Sequence, residues 1–269
     1  MKESTENSLY HFKTKKEYFL ELISEFKFTP RYNKEYILLN PNSERPVIDM
    51  VIPMVCWCDI PLNRISNHTE RYGNFGIGIK KEWAISNLIN PIFYVIENTV
   101  LAGMLNNISK ALIDLGDIME SNKDLKLKLW EVTSNLYPSF EYLSQHVKPY
   151  NYQRIPSRQE NRKFYDEKEW RYVPDPIGFE NLILYPYLYE TDEELQEAVE
   201  IANKQIKIRN LSFKPDDVTI IIIEEERYRD EVEEVICNFF NLNKFQNYEL
   251  FSNKIKTIAQ IKDGNFENE

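Results

Sequence analysis

The stretch NRKFYDEKEWRYVPD, residues 161–175, combines bulky aromatic and charged side chains, and its conformation determines where these side chains lie in the fold. Side chains alternate between the two faces of a strand. If the stretch is a strand, Trp170 and Tyr172 point to one face and anchor the strand to the core. The opposite face then carries Glu167, Glu169, Arg171 and Val173. That face is either a solvated row of charges or one wall of a groove.

The composition limits the class of protein. The chain has 269 residues, of which 42% are apolar, so a sizeable core can form. Glycine is scarce, with 7 residues, and neither GxGxxG nor GxxxxGKS/T occurs, which excludes the common phosphate-binding loops. The net charge of −10 opposes broad, sequence-independent binding to nucleic acid. Nucleic acid is compatible with this charge only as a substrate bound at a local basic groove. The same charge suits a basic protein partner.

The sequence predicts a cytoplasmic protein with no membrane contact. The first residues, MKESTENSLYHF, lack the apolar core of a signal peptide. No stretch approaches the ~20 apolar residues that a membrane-spanning helix needs. The three cysteines are an odd number and give no disulfide framework.

Hydrophobic periodicity predicts an α+β fold in a single domain, residues 1–269. Strands are expected at 8–13, 47–61, 75–80, 90–97, 161–175, 181–189 and 217–224. Helices are expected from Thr14, at 192–208 and at 229–240, with capping boxes at Thr14–Glu17 and Thr191–Glu194. The segment 98–146 is mostly helical and is expected to be an insertion between two strands.

Two conventional sites compete with simple packing of the cysteines. Cys56 and Cys58 have C-x-C spacing, which lies outside the usual zinc spacing, and no second pair exists. We therefore predict no metal site. Cys58 with His68 is a candidate nucleophile pair, but no local signature of a cysteine enzyme surrounds it. Packing of both thiols on one strand face is the favoured interpretation.

Four motifs carry a family resemblance. They are VCWCDIPL (55–62), HTERYGNFGIGIKKEW (68–83), NPIFYV (90–95) and FYDEKEWRYVPD (164–175). Together they resemble the AbiGi family of bacterial abortive-infection proteins, in order, over most of residues 8–240. The resemblance implies phage defence, with the AbiGi member as the antitoxin-like half of a two-gene system and a protein partner from the same defence operon.

A second resemblance is to the ADP-ribosyltransferases that modify DNA or RNA. It rests on the opening strand LYHFK (9–13), followed at once by a helix. It implies an ADP-ribosyltransferase-like mixed or antiparallel sheet and NAD as the cofactor. By position, His11 would bind the NAD ribose and Tyr72 would stack on nicotinamide. Glu169 would hold the ribose under attack, with Glu167 as the best candidate for a second carboxylate.

The chemistry of NAD cleavage fits these residue types. Breaking the bond between nicotinamide and ribose develops oxocarbenium character, which a fixed carboxylate stabilises. Arg71 or Arg171 would hold the pyrophosphate through paired hydrogen bonds. The hypothesis is therefore a phage-defence protein that transfers ADP-ribose from NAD or cleaves NAD. The alternative is a non-catalytic antitoxin that neutralises a toxin through its acidic surface, with the polar row purely structural.

Overall fold

The computed structural model of the protein describes residues 7–37, 39, 47–65, 69, 71–151, 163–175, 182–243, 245–246 and 248–264. The described strands are β1 (Ser8–Lys13), β2 (Lys27–Phe28), β3 (Arg31–Ile37), β4 (Ile48–Cys58), β5 (Phe75–Lys80), β6 (Asn90–Pro91), β7 (Phe93–Val95), β8 (Val147–Pro149), β9 (Glu169–Tyr172), β10 (Leu211–Ser212), β11 (Val218–Ile223) and β12 (Ile255–Thr257). The described helices are α1 (Lys16–Glu25), α2 (Lys81–Ser86), α3 (Val100–Ser121), α4 (Lys123–Ser144), α5 (Asp192–Gln205), α6 (Arg229–Asn243), α7 (Tyr248–Ser252) and α8 (Ile258–Lys262).

Most of the strands form one mixed sheet in the order β12-β11-β5-β1-β4-β9-β6, with β3 also paired to β4. The pairs are antiparallel except for β11 with β12. The prediction of an α+β fold with a mixed sheet is confirmed. The run VTIIII of β11 has five of its six residues buried, as its unbroken apolar sequence predicts.

The main core lies on one face of the sheet, against α1 and α6. Phe19, Ile23 and Val232 of these helices are fully buried there together with Leu9 and Ile77 of the sheet. The apolar stripes of α1 and α6 recur at helical spacing, so each helix buries one side against the strands. Trp170 and Tyr172 are only half-buried at the border of this core. The anchoring aromatics are therefore less buried than the sequence predicts.

The sheet splits between β1 and β4. These two strands pair only at Tyr10 and Cys58. On the same edge of β4, pairing with β3 resumes at Met54. The backbone of residues 55–57 therefore has no described strand partner on this edge, although its other edge pairs with β9. The gap opens the sheet beside the end of β1.

The helical segment predicted at 98–146 is a hairpin of two 22-residue helices, α3 and α4. Asn122 alone connects them, and its side chain caps α4 by accepting a hydrogen bond from the Leu125 amide. The Tyr137 hydroxyl donates to the Leu112 carbonyl oxygen at 2.6 Å and ties the helices together. No helix in the described part of the chain has both the length and the apolar character needed to cross a bilayer.

Two local predictions are wrong. Over its described residues 182–189, the segment predicted as a strand at 181–189 has only a single bridge, from Leu184 to Val51, and Pro186–Leu188 is a 3-10 turn. Pro186 has no amide hydrogen for a ladder but suits the first position of a helical turn, so the turn forms instead. The capping box at Thr14 is also wrong, because α1 begins at Lys16 after an uncapped Lys15.

The second capping prediction is confirmed. The Thr191 hydroxyl accepts a hydrogen bond from the Glu194 amide at 3.2 Å, and the Glu194 carboxylate accepts one from the Glu190 amide at 2.9 Å. These two bonds satisfy amides at the start of α5 that have no partner within the helix.

Candidate functional site

A cavity of about 460 Å³ lies at the split between β1 and β4. Its lining includes four of the residues singled out from the sequence: His11, Tyr72, Glu167 and Glu169. Its other polar lining residues include Lys13, Arg31, Glu35 and Lys148. The separation of the two strands therefore brings the end of β1 and the acidic segment of β9 to one concavity.

The two carboxylates reach the cavity from different local structures. Glu169 is the first residue of β9, whereas Glu167 ends the 3-10 turn Phe164–Glu167. Lys168 between them has a left-handed backbone, with φ of 47°. The prediction that Glu167 continues the strand row is therefore wrong. The left-handed residue ends the 3-10 turn before β9 begins, and both carboxylates contact the same partner.

That partner is Lys148 of β8. Its ammonium lies 2.9 Å from the Glu167 carboxylate and 2.8 Å from the Glu169 carboxylate. The exposed fraction is 13% for the Lys148 side chain and 6% for each glutamate. One buried cation thus neutralises the repulsion between two buried carboxylates.

Arg171 completes the ion-pair network from the same strand face as Glu169. Its guanidinium lies 2.8 Å from the Glu169 carboxylate, donates to the Gln145 carbonyl oxygen at 2.6 Å, and lies 3.4 Å from Glu35. Arg171 is fully buried and does not line the cavity. Arg71 is exposed and is not a lining residue. The pyrophosphate role of the two arginines therefore stays a prediction, and neither residue lines this cavity.

The charges of this network are fixed by their mutual attraction. Burial by itself would raise the pKa of Glu169, but Arg171 and Lys148 outweigh it and hold that pKa well below its usual range. Burial would likewise lower the pKa of Lys148, but Glu169 and Glu167 raise it well above the usual value. Glu169 and Lys148 are therefore both ionised at neutral pH.

Tyr72 is held at the mouth of the cavity by a hydrogen bond and by a glycine. Its hydroxyl donates to the Glu167 carboxylate at 2.6 Å. The next residue, Gly73, has φ of 101°, and a Cβ atom there would lie 2.0 Å from the Lys13 carbonyl oxygen. Only glycine allows the chain to pass this close to the end of β1. The Tyr-Gly pair of the sequence motif thus positions the aromatic ring.

His11 bridges the gap in the sheet. Its Nδ1 lies 2.7 Å from the Cys56 carbonyl oxygen, so Nδ1 carries the hydrogen and donates it. Burial, reinforced by the charge of Lys13, lowers the pKa of His11 to about 3. The ring is therefore neutral, and Nε2 is an acceptor. Nε2 has no hydrogen-bond partner among the described residues, and neither has the buried indole N–H of Trp57, another lining residue.

The two cysteines of β4 share the face of the carboxylates. Cys56 pairs in register with Arg171, and Cys58 with Glu169. Burial raises the pKa of both thiols well above the usual value, and nearby carboxylates raise it further. Protonated thiols are poor nucleophiles, which favours packing. His68, the proposed partner of Cys58, lies outside the described residues.

Other residues of the site carried no sequence signal. Lys148 belongs to a strand of three residues, too short to show alternation. Glu35 lies in a strand of mixed polar character. The Tyr94 hydroxyl accepts a hydrogen bond from the Glu169 amide at 2.9 Å, although nothing in NPIFYV marks this tyrosine as a neighbour of β9. Within the described residues, no cluster of His, Cys, Asp and Glu side chains is arranged to hold a metal ion.

Comparison with known proteins identifies the family. The family model described as "Putative abortive phage resistance protein AbiGi, antitoxin" matches residues 26–224. The chain is 31% identical over 220 residues to the abortive phage resistance protein AbiGi of Lactococcus lactis subsp. cremoris, covering 76% of this chain and 85% of that protein. This chain belongs to the AbiGi family. No solved structure matches it.

The AbiGi match includes every element around the cavity except β1. Residues 26–224 contain β3, β4, β8 and β9, and therefore the whole network of Lys148, Glu167, Glu169 and Arg171. His11 lies before the matched segment. The ion-pair network is thus part of the AbiGi segment, whereas the match does not extend to the histidine.

Proposed function

We propose that this AbiGi-family chain is the antitoxin of a phage-defence pair, a non-catalytic protein that neutralises a partner toxin by binding it. The observation that carries the proposal is that cations of the protein itself engage both carboxylate oxygens of Glu169. One of its carboxylate oxygens accepts from Arg171 at 2.8 Å and the other from Lys148 at 2.8 Å. Two bound cations offset the negative charge through which a carboxylate would stabilise a cationic transition state.

Glu167 is occupied in the same way. Its oxygens accept from the Tyr72 hydroxyl at 2.6 Å and from Lys148 at 2.9 Å. Both candidate catalytic carboxylates therefore serve as acceptors within the protein. This arrangement supports a structural role, in which the network holds β8, β9 and the 3-10 turn together.

The exposed acidic helix α5 is the surface that suits a basic toxin. Asp192, Glu193, Glu194, Glu197 and Glu200 are all exposed. None of these carboxylates forms an ion pair with a described lysine or arginine. Glu193, Glu197 and Glu200 recur at helical spacing and lie on one side of the helix. Opposite charge on a partner would accelerate association and select against acidic proteins.

Charge reversal on α5 tests this proposal. The triple variant Glu193→Lys, Glu197→Lys, Glu200→Lys should slow association with the toxin encoded in the same operon, most strongly at low salt, and should lose neutralisation in cells. The matched control reverses Glu17, Glu234 and Glu249, which are exposed on other helices and give the same change in net charge. Neutralisation that survives in the α5 variant as well as in the control would contradict docking at this helix.

We also propose, as a second candidate, that the cavity binds NAD and that the protein either transfers ADP-ribose from NAD to an acceptor or cleaves NAD. Nucleic acid that binds locally at the cavity is one such acceptor. The observation that favours it is the unsatisfied pair in the lining: the acceptor Nε2 of His11 and the donor N–H of Trp57, which have no partner among the described residues. Buried polar atoms normally have partners, so this acceptor and this donor are available for hydrogen bonds to a ligand. The volume of about 460 Å³ is within the range of ligand pockets.

Cationic residues in the lining of the cavity suit the pyrophosphate group of NAD. Lys13, Arg31 and Lys34 line the cavity and are cations available to a pyrophosphate, in place of Arg71 and Arg171. Incubation with NAD, while nicotinamide release is followed, tests the enzyme directly. Tyr72→Phe is the variant to compare, because it removes the hydroxyl bound to Glu167 and keeps the ring. No release by wild type, with or without cell extract, would exclude this candidate.

A further inference from the structure

The helix α3 has two apolar stripes, of which the rest of the described chain covers only one. The covered stripe contains the buried residues Ala102, Leu105, Leu112 and Met119, of which Ala102 and Leu105 pack in the core formed with strands β3, β4 and β8. The second stripe contains Leu101, Met104, Ile108, Ala111, Leu115 and Ile118. Its spacing of three and four residues in alternation is the heptad pattern of a helix that packs along a partner. Yet Leu101, Met104, Ile108 and Ile118 are between 41% and 57% exposed.

The helix α4 repeats this arrangement. Tyr137 faces α3, because its hydroxyl donates to the Leu112 carbonyl oxygen. The buried residues Thr133 and Ser144 lie on the same side of α4 as Tyr137, at helical spacing. Each of these three residues is preceded by an exposed apolar residue: Val132, Leu136 and Leu143. On α3, Leu101, Met104, Ala111 and Ile118 likewise precede the four buried residues by one position.

This equal offset places both stripes on one side of the hairpin. An antiparallel helix pair has an approximate two-fold axis perpendicular to its face, which relates equivalent offsets in the two helices. Residues that precede the contact positions by one are rotated by about 100° in the same sense on each helix. The nine residues Leu101, Met104, Ile108, Ala111, Leu115, Ile118, Val132, Leu136 and Leu143 therefore form one surface, which we call the apolar hairpin face.

We infer that the apolar hairpin face packs against the same face of a second copy of this chain, forming a four-helix bundle and a homodimer. Two helices of 22 residues are each about 33 Å long and pack about 10 Å apart. The face therefore covers on the order of 650 Å² per chain, close to the ~800 Å² per partner of a stable interface.

A second copy fits this face better than a basic toxin does. None of its nine residues is charged, so a toxin selected by charge would gain nothing there. Each chain has a net charge of −10, but the nine residues of the apolar hairpin face carry no charge and do not repel each other. The carboxylates of α5 lie on a different helix. A second copy also presents two helices of equal length, which suits a left-handed bundle. The inference is independent of the toxin proposal.

Light scattering of the purified full chain during gel filtration tests this inference. Wild type should elute with twice the chain mass of 32.2 kDa, whereas Ile108→Glu with Leu136→Glu should elute with 32.2 kDa. Both positions are exposed in the single chain, so circular dichroism should show an unchanged fold. Ile118→Glu alone should weaken the dimer and shift its dilution midpoint.

Asp114→Lys is the matched control, because Asp114 is exposed on α3 outside the apolar hairpin face. It should leave the dimer intact. A wild type that is monomeric over the whole dilution series would overturn the inference. A dimer that persists in the double variant would place the dimer contact elsewhere and would also overturn the inference. If the apolar hairpin face is covered only when the operon partner is added, its occupant is the toxin, and the inference is overturned as well. Reversal of the α5 carboxylates should leave the dimer unchanged, so failure of either proposal can be recognised separately.

Discussion

The Nδ1 atom of His11 lies 2.7 Å from the Cys56 carbonyl oxygen, across the gap where β1 and β4 separate. A side chain here makes the connection that a backbone amide makes elsewhere in the sheet. The bond requires a hydrogen on Nδ1 and leaves Nε2 as a buried acceptor. The gap between β1 and β4 therefore accounts both for the cavity and for the neutral histidine that spans it.

Stability should depend on pH through His11. An unfolded histidine titrates near pH 6.5, whereas His11 in the folded protein has a pKa of about 3. Between these values the unfolded chain binds a proton that the folded chain does not, so stability is complete above pH 6.5 and falls as the pH falls. At pH 5 the loss is about 2 kcal/mol. Urea unfolding measures the free energy of unfolding at each pH. Between pH 7 and pH 4 this free energy should fall more steeply for wild type than for His11→Gln. The same pH dependence in both proteins would contradict the pKa of His11.

Removing Lys148 should be costly. Lys148→Met leaves the buried carboxylates of Glu167 and Glu169 without their shared cation, and breaking a buried pair from one side costs about 3–5 kcal/mol. Chemical denaturation measures the loss. The control is Lys81→Met, whose partner Asp59 lies 2.8 Å away in a more exposed pair and whose removal should cost less than about 1 kcal/mol. Equal losses in the two variants would show that the network is not the stabilising feature.

Glu169→Gln should lower the stability of the folded protein. If the face of Glu169 were a solvated row of charges, neutralising this side chain would change the melting temperature little. The structure buries it against Arg171, so the neutral amide leaves a buried guanidinium undercompensated and should cost roughly 3 kcal/mol. Thermal unfolding measures this cost, with exposed Glu193→Gln as the control expected within about 0.5 kcal/mol. An unmoved melting temperature would return Glu169 to the candidate catalytic residues.

Gly73 should tolerate no side chain. Gly73→Ala combines a positive φ with a Cβ atom 2.0 Å from the Lys13 carbonyl oxygen, so the backbone beside the cavity must move. Gly264→Ala is the matched control, because Gly264 also has a positive φ but its added Cβ would meet no described atom within 4 Å. It should cost about 1–2 kcal/mol from backbone strain alone. Comparison of the two unfolding free energies isolates the steric overlap, and equal values would show that Tyr72 does not depend on this close approach.

The sequence predicted the elements whose side chains follow a simple period. The unbroken β-branched run of β11 and the FGIGIK strand are present as expected. Alternation in EWRY correctly placed Glu169 and Arg171 on one face, because this rule depends only on strand geometry. The family motifs correctly identified AbiGi.

The rest depends on contacts that no local pattern records. Lys168 adopts a left-handed backbone without being Gly or Asn, so the turn that separates Glu167 from β9 has no sequence signal. Lys148 meets its carboxylates only because β8 packs beside the turn. Arg171 was expected at a ligand but is drawn into the core by Glu169, since a buried carboxylate requires a counter-charge.

The strand order has a consequence for synthesis of the protein. Residues 75–80 of β5 pair with residues 218–223 of β11, so one edge of β5 lacks its partner until the later strand has been made. At ~5–20 residues per second this interval lasts roughly 7 to 28 s, during which an open apolar edge is a template for aggregation. Glycine weakens strand pairing in the interior of a strand. Gly76 and Gly78 therefore lower the tendency of the nascent β5 to pair with a neighbouring chain before β11 arrives.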